Sequence, residues 1–196
     1  MVISSSRQDK IKKVVTQRQS NIVIVLEDIH DPHNAAAIIR TCDSFGIQDV
    51  YFIFGQEEAY NPKKIGRSSS SSANKWLDFK IFDSIKAAIL DLKRDGYQII
   101  GTALEKDSVD FYQADFTQDK LALIVGNEHR GMSAEAIELC DQVIEIPMRG
   151  FVQSLNVSVS AGILIAEITR QRLANGKLKP LSSTEQQKLI ADFLER

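Results

Sequence analysis

KLALIVGNEHRGMSAEAIELCDQVIEIPM, residues 120–148, is the stretch that decides the fold class. It opens on an unbroken apolar run from Leu121 to Val125, closed by Gly126-Asn127. Continuous rather than alternating apolar residues mark a strand covered on both faces, as in a parallel sheet. At 133–141 the pattern becomes helical: Ser133 is suited to capping and Glu135 falls in the first turn. A second β-branched run, 142–148, follows at once. Strand, helix and strand in that order form a crossover unit.

The same alternation extends upstream. NIVIVLEDI (21–29), DVYFIFG (49–55) and YQIIGTAL (97–104) read as further buried strands. NAAAIIRTCDSFG (34–46) reads as a helix capped by Asn34 and stopped by Gly46, and DSIKAAILDLKRDG (83–96) as one capped by Asp83 and stopped by Gly96. A last long apolar helix is expected over roughly 155–175. These elements predict an α/β fold with a mostly parallel sheet flanked by helices. They divide the chain into a basic N-terminal helical extension (1–20), one α/β domain (21–175) and a helical tail (176–196). In the tail, Leu189, Ile190, Phe193 and Leu194 make an apolar face whose partner is either the N-terminal helix or a second subunit. GRSSSSSANKW (66–76) reads as a mobile polar loop.

With 196 residues, 43% of them hydrophobic and 26% charged, the chain can build one proper core, and wholesale disorder is excluded. The net charge of −2 hides a strong asymmetry. Residues 1–20 carry Arg7, Lys10, Lys12, Lys13 and Arg18 against Asp9, a net of +4. Residues 169–180 carry Arg170, Arg172, Lys177 and Lys179 against no acid, again +4, while 21–168 holds 13 basic and 22 acidic residues. An acidic body thus has two basic ends, the expected footprint of phosphate contacts. Cys42 and Cys140 are far apart in apolar segments and are expected as buried thiols in a reducing compartment. No run approaches the ~18 apolar residues of a membrane span, and the N-terminus has no apolar signal region, so a cytoplasmic protein without a membrane partner is expected.

Familiar cofactor and hydrolase signatures fail. Neither G-x-G-x-x-G after the first strand, nor a P-loop, nor G-x-S-x-G is present. His30 and His33 near Asp31 lack a third clear ligand, so no metal is expected. In open α/β sheets ligands bind beyond the carboxyl ends of the strands. Three such ends carry turn-forming or close-approach sequences: Gly101 to Glu105, Gly126 to Gly131, and Ile146 to Asn156. Among polar residues there and on the first helix, Arg40 interrupts a small-residue stretch, where the competing reading is a surface pair with Asp43 or Ser44. Asn34 competes as a plain cap, Glu128 as a solvated loop acid, and Ser154 and Asn156 as caps of the last helix.

Together these residues resemble a known family. Asn34-Ala-Ala-Ala-Ile-Ile-Arg40, Leu123-Ile-Val-Gly-Asn-Glu-His-Arg-Gly131 and Ile146-Pro-Met-Arg-Gly-Phe-Val-Gln-Ser-Leu-Asn-Val-Ser-Val-Ser-Ala161 are similar, in order, to the three motifs of the SpoU branch of the SPOUT methyltransferases. The flanks, including the basic N-terminal helix, Ser71 to Trp76 and Arg170 to Gly176, most resemble members acting on guanosine 18 of tRNA. The resemblance departs in the second motif, where such members often carry Glu-Lys and here Glu128 is followed by His129-Arg130, and in the serine run 68–72.

The resemblance implies a C-terminal trefoil knot, a homodimer, S-adenosyl-L-methionine as methyl donor and a tRNA ribose 2′-hydroxyl as acceptor. It implies catalytic roles for Arg40, Asn34, Glu128, Ser154 and Asn156, with the methyl donor held around Thr102, Leu104, Gly126, Ile146, Met148 and Leu155. The basic ends, Arg7, Lys10, Lys12, Lys13, Arg18, Arg170, Arg172 and Lys177, are the expected RNA contacts. Another tRNA or rRNA nucleotide, or a non-catalytic RNA-binding or S-adenosylmethionine-sensing role on the same scaffold, are the alternatives. A guanidinium is always charged near neutrality, so Arg40 is expected to orient and stabilise the developing alkoxide rather than serve as a base. The last helix and residues 181–194 are the expected dimer surface.

Overall fold

The computed structural model describes residues 4–65 and 70–196. Its strands are β1 (Gln19–Glu27), β2 (Ile47–Ile53), β3 (Asp78–Phe82), β4 (Gln98–Thr102), β5 (Val109–Asp110), β6 (Leu121–Val125) and β7 (Gln142–Glu145). They form one sheet in the order β3-β2-β1-β6-β4-β7-β5, with every pair parallel. The helices are α1 (Ser5–Val15), α2 (Pro32–Ser44), α3 (Ile85–Arg94), α4 (Ala134–Leu139), α5 (Val157–Ala174) and α6 (Ser183–Glu195).

Helices cover both faces, which is why the central strands read as continuous apolar runs. Ile22, Ile24 and Leu26 of β1 pack with Ile38 and Ile39 of α2 and with Leu164 and Ile165 of α5. The alternate residues Val23 and Val25 face Ile89 of α3 and Ala136 of α4. A third cluster joins α1 to α6 through Ile11, Val15 and Phe193, with Trp76 laid edge-on against Phe193. The apolar face of 181–194 packs on the N-terminal helix and Trp76, with Leu189, Ile190 and Leu194 only partly buried.

Two strands escaped the sequence reading. β3 is a partly exposed edge strand whose apolar and charged residues mix, and β5 has only two residues. Two caps also move. Asp31, not Asn34, caps α2, with Pro32 at its first position, and Ser84 rather than Asp83 caps α3. Asn34 is thereby released for another role. Part of the loop expected over 66–76 lies outside the described residues; within it, 73–75 form a short 3-10 turn. Both cysteines are free, Cys42 buried and Cys140 half-buried, and burial pushes the Cys140 thiol up to about 12. No helix among the described residues is long and apolar enough to cross a membrane.

Candidate active site

A cavity of about 430 Å³ opens where β4, β6 and β7 end. Its size suits a small-molecule site. All six residues expected to hold the methyl donor line it: Thr102, Leu104, Gly126, Ile146, Met148 and Leu155. Glu128 and Ser154 line it too. Its wall after β6 folds back on itself. Asn127 N–H donates to the Gly131 carbonyl (3.0 Å) and Gly131 N–H to the Asn127 carbonyl (2.9 Å). A β-carbon at Gly126 would lie 2.3 Å from the Met132 nitrogen, so only glycine permits the turn.

That turn presents Glu128 to the β1–α2 loop. His30 N–H donates to Glu128 Oε2 (2.8 Å), while Asp31 N–H (3.1 Å) and Asn34 Nδ2 (2.8 Å) donate to Oε1. Partial burial pushes the Glu128 carboxyl up, but the Asn34 amide and the backbone donors outweigh it and hold the group below the usual carboxylate range. Asn34 Oδ1 in turn accepts from Asn156 Nδ2 (3.0 Å), and Asn156 Oδ1 caps α5 by accepting from Ser158 N–H (2.9 Å) and Oγ (2.6 Å). Glu128, Asn34 and Asn156, far apart in sequence, thus form one relay across three elements. With both oxygens engaged, Glu128 is suited to fixing Asn34 and poorly suited to taking a proton.

Arg40 and Ser154 stand outside the relay. Ser154 is exposed on the cavity wall, without a hydrogen bond among the described residues. Arg40 is exposed on α2 six residues beyond Asn34 and is not part of the cavity wall. Its guanidinium has no partner among the described residues, and Asp43, offered as its surface partner, pairs with Arg18 instead.

Sequence reasoning missed the frame behind the relay. Asp28 ends β1 in the left-handed region (φ 51°), and its Oδ1 accepts from the N–H groups of Gly55, Gln56 and Glu57. Aspartate tolerates that conformation better than most residues. Glu57 then meets Arg130 (2.6 Å) and His30 Nδ1 (2.7 Å), tying the turn that carries Glu128 to the loop that carries Asn34. Asn127 Nδ2 donates to the Asp28 carbonyl (2.7 Å), and its Oδ1 accepts from His129 and Arg130 N–H. In this chain the cation at Arg130 of the departing His129-Arg130 pair is the one that Glu57 meets. His33 pairs with Asp31 (3.0 Å).

The expected RNA contacts divide sharply. Arg7, Lys10, Lys12 and Lys13 are exposed and without ion pairs among the described residues. Arg18 is a correction: it is 1% exposed, pairs with Asp43 Oδ1 (2.5 Å) and lies over the Phe193 ring. Arg172 is another, 0% exposed and donating to the carbonyls of Phe116, Gln118, Asp119 and Lys177. A guanidinium so enclosed cannot reach a phosphate. Arg170 pairs with Glu167 (2.7 Å) and Lys177 with Asp119 (3.4 Å), surface pairs that leave both cations substantially exposed.

The cavity wall suits a nucleoside carrying an amino-acid tail. Leu104, Ile146 and Leu155 offer apolar surface, and no hydrogen bond within the described residues engages the main chain of Ile146, Met148 or Leu155. A parallel sheet with a cavity at its strand ends defines the class of open α/β proteins that bind ligands there. Residues 21–166 match the SpoU rRNA Methylase family, and the chain belongs to it. It is 36% identical to the tRNA (guanosine(18)-2′-O)-methyltransferase of Thermus thermophilus, over 98% of both chains. The TrmH/SpoU tRNA modifying enzyme of A. aeolicus superposes with a TM-score of 0.86 at 34% identity, covering 97% of this chain and 96% of that one. The SpoU methyltransferase AviRb from Streptomyces viridochromogenes, in complex with AdoMet, superposes with a TM-score of 0.69 at 27% identity, covering 83% and 64%.

Proposed function

We propose that the chain transfers a methyl group from S-adenosyl-L-methionine to the ribose 2′-oxygen of guanosine 18 in the D-loop of tRNA. The observation that carries this reading is end-to-end similarity to a guanosine-18 enzyme, terminal helices included. The methyl donor fits the cavity at Thr102, Leu104, Gly126, Ile146, Met148 and Leu155, where free main-chain groups meet apolar walls. When bound, it supplies an electrophilic sulfonium methyl. The new O–CH₃ bond forms as the S–CH₃ bond breaks, and the hydroxyl proton leaves to solvent. Arg40 orients the ribose and stabilises the developing alkoxide. Asn34 and Asn156 hold polar atoms of the nucleotide, Glu128 positions Asn34, and Ser154 shapes the cavity wall.

A homodimer accompanies this reading. α5 is apolar around much of its circumference and leaves Val159, Ala166 and Leu173 exposed, an unburied face on an otherwise core-forming helix. Arg40 does not reach the cavity within its own chain, so a second copy laid against α2 and α5 supplies the means to complete each site. A trefoil knot at β6–α5 and a cytoplasmic location, where tRNA is processed, belong to the same proposal. The test incubates the protein with labelled S-adenosylmethionine and unmodified tRNA transcript, then digests the RNA. 2′-O-Methylguanosine is expected from wild-type transcript and none from one lacking the first D-loop guanosine. Binding of tRNA and cofactor without any methylated ribose would favour the non-catalytic alternative.

A further inference from the structure

The segment linking β2 to β3 runs from the active-site frame to the terminal helices. It starts at Glu57, which pairs with His30 and Arg130. Tyr60 Oη then donates to the Ile29 carbonyl (3.1 Å). It ends at Trp76, packed on Phe193 of α6, while Arg196 donates to the Lys75 carbonyl (2.7 Å). Between these anchors it displays Lys63, Lys64 and Lys75, all exposed.

These three ammonium groups have no carboxylate within ion-pair distance among the described residues, and Met1 to Ile3 and Gly66 to Ser69 contain no acid to supply one. Some other cations are matched, Lys80 with Asp91, Lys93 with Asp141, and Lys177 and Lys179 with Asp119. Others, such as Lys86 and Lys188, have no ion pair among the described residues, so what sets the three apart is their place between α1 and the active-site frame. Their backbone is also held. Asn61 Oδ1 accepts from Lys63 N–H (2.9 Å), Lys64 N–H closes a turn on the Asn61 carbonyl (2.9 Å), and Asn74 Nδ2 donates to the Lys63 carbonyl (2.8 Å). Two unpaired cations on a fixed turn and a third on the neighbouring 3-10 turn, between a basic helix and a catalytic frame, suit a polyanion that must touch both. The backbone is already ordered before such groups engage, so the ordering cost falls on the lysine side chains alone.

We infer that Lys63, Lys64 and Lys75 form a phosphate-binding track that carries the tRNA backbone from α1 to the active site. This rests on the tRNA reading above, and the track takes the place of Arg18 and Arg172, which the fold buries. The experiment measures tRNA affinity across a salt series for wild type and for the triple variant Lys63→Gln, Lys64→Gln, Lys75→Gln. Lys86→Gln serves as control, an exposed lysine on α3 and hence on the opposite side of the sheet from α2 and α5. Removing one lysine–phosphate pair lowers the slope of log K against log salt by about 0.7–0.9, so the triple variant should have a slope shallower by about 2 and bind about 100-fold more weakly near 0.1 M salt. Its KM for tRNA should rise in step, with unchanged affinity for S-adenosylmethionine by calorimetry and unchanged thermal unfolding. A triple variant with wild-type slope and affinity, or one weakened no more than Lys86→Gln, overturns the track. Failure of the wild-type protein itself to bind tRNA sinks the underlying reading instead, and the two results are told apart on the same titration.

Discussion

Arg172 and Arg40 lie on the two helices that pack against one another on one face of the sheet, yet their surroundings are opposite. Arg172 is sealed in, its two terminal nitrogens shared among four carbonyls, and it fastens residues 116–119 to the end of α5. Arg40 is exposed and its guanidinium meets nothing among the described residues. A cation whose donors are consumed inside the fold stabilises it, and a cation left unmatched is free for a ligand. The same division separates Arg18 from Arg7, Lys10, Lys12 and Lys13. Chemical type alone, which is all that a run of basic residues reports, does not distinguish the two uses.

The largest effect is expected at Arg40. If its donors act only on the reacting ribose, Arg40→Ala should lower kcat by about 100–1000-fold, as loss of one preorganised donor commonly does, while leaving thermal unfolding unchanged. Arg40→Lys should recover little, because one ammonium does not reproduce a planar fork. Substantial methyl transfer by Arg40→Lys at saturating tRNA would remove the bidentate role. Mixing Arg40→Ala with Asn156→Ala subunits should restore activity that neither has alone if the arginine completes its partner's site; no recovery would confine the site to one chain.

Arg172→Ala is the converse. The Phe116 and Gln118 carbonyls would lose their donor in a buried place, while those of Asp119 and Lys177 would keep only Asn21, so stability should fall by about 2–4 kcal/mol in denaturant unfolding. The salt slope of tRNA binding should stay at the wild-type value under conditions where the variant is folded. A change in slope would return Arg172 to the RNA surface. Asp49 gives the mirror case, a half-buried carboxyl on β2 paired in register with Asp78, with its pKa raised to about 6, first by desolvation and then by that neighbour. Its unfolded value is near 3.9, so the folded chain binds the proton more tightly. The associated stability is present below about pH 4 and is lost as pH rises through about 6. Asp49→Asn should therefore stabilise the protein by about 2 kcal/mol at pH 8 and by much less at pH 4, measured by unfolding at both.

How much the sequence carried depends on the same distinction. Apolar continuity identified β1, β2, β4, β6 and β7, because burial on both faces leaves a one-dimensional trace. β3 and β5 left none, being a mixed edge and a two-residue strand. The cavity residues were legible from the family motifs, and all six line one cavity. The relay from Glu128 through Asn34 to Asn156 was legible as a set but not as a connection, since residues 94 and 122 positions apart become partners only when β1 and β6 pair and α5 returns against α2. Burial of Arg18 and Arg172 was invisible for a simpler reason: the carbonyls around Arg172 and the Phe193 ring beneath Arg18 come from distant segments.

Glu57 and Arg130 stand between the two extremes, paired yet partly exposed, and give the finest test. The Glu57 carboxylate is held below its ordinary range, first by His30 and then by Arg130, and it holds the His30 imidazole above its own. The pair with charged His30 therefore persists at low pH and dissolves as pH rises through the elevated histidine value. Glu57→Gln should return His30 toward about 6.5, followed as a histidine titration by NMR. If Glu57 positions the turn that bears Glu128, kcat should fall by about threefold to tenfold at low pH and less at high pH, where wild type has already lost the charged histidine pair. Charge reversal of the other pair, Glu57→Arg with Arg130→Glu, should regain part of that loss. An unaltered pH profile in Glu57→Gln would make the pair a surface contact and move it to the side of the comparison where Lys177 and Asp119 belong.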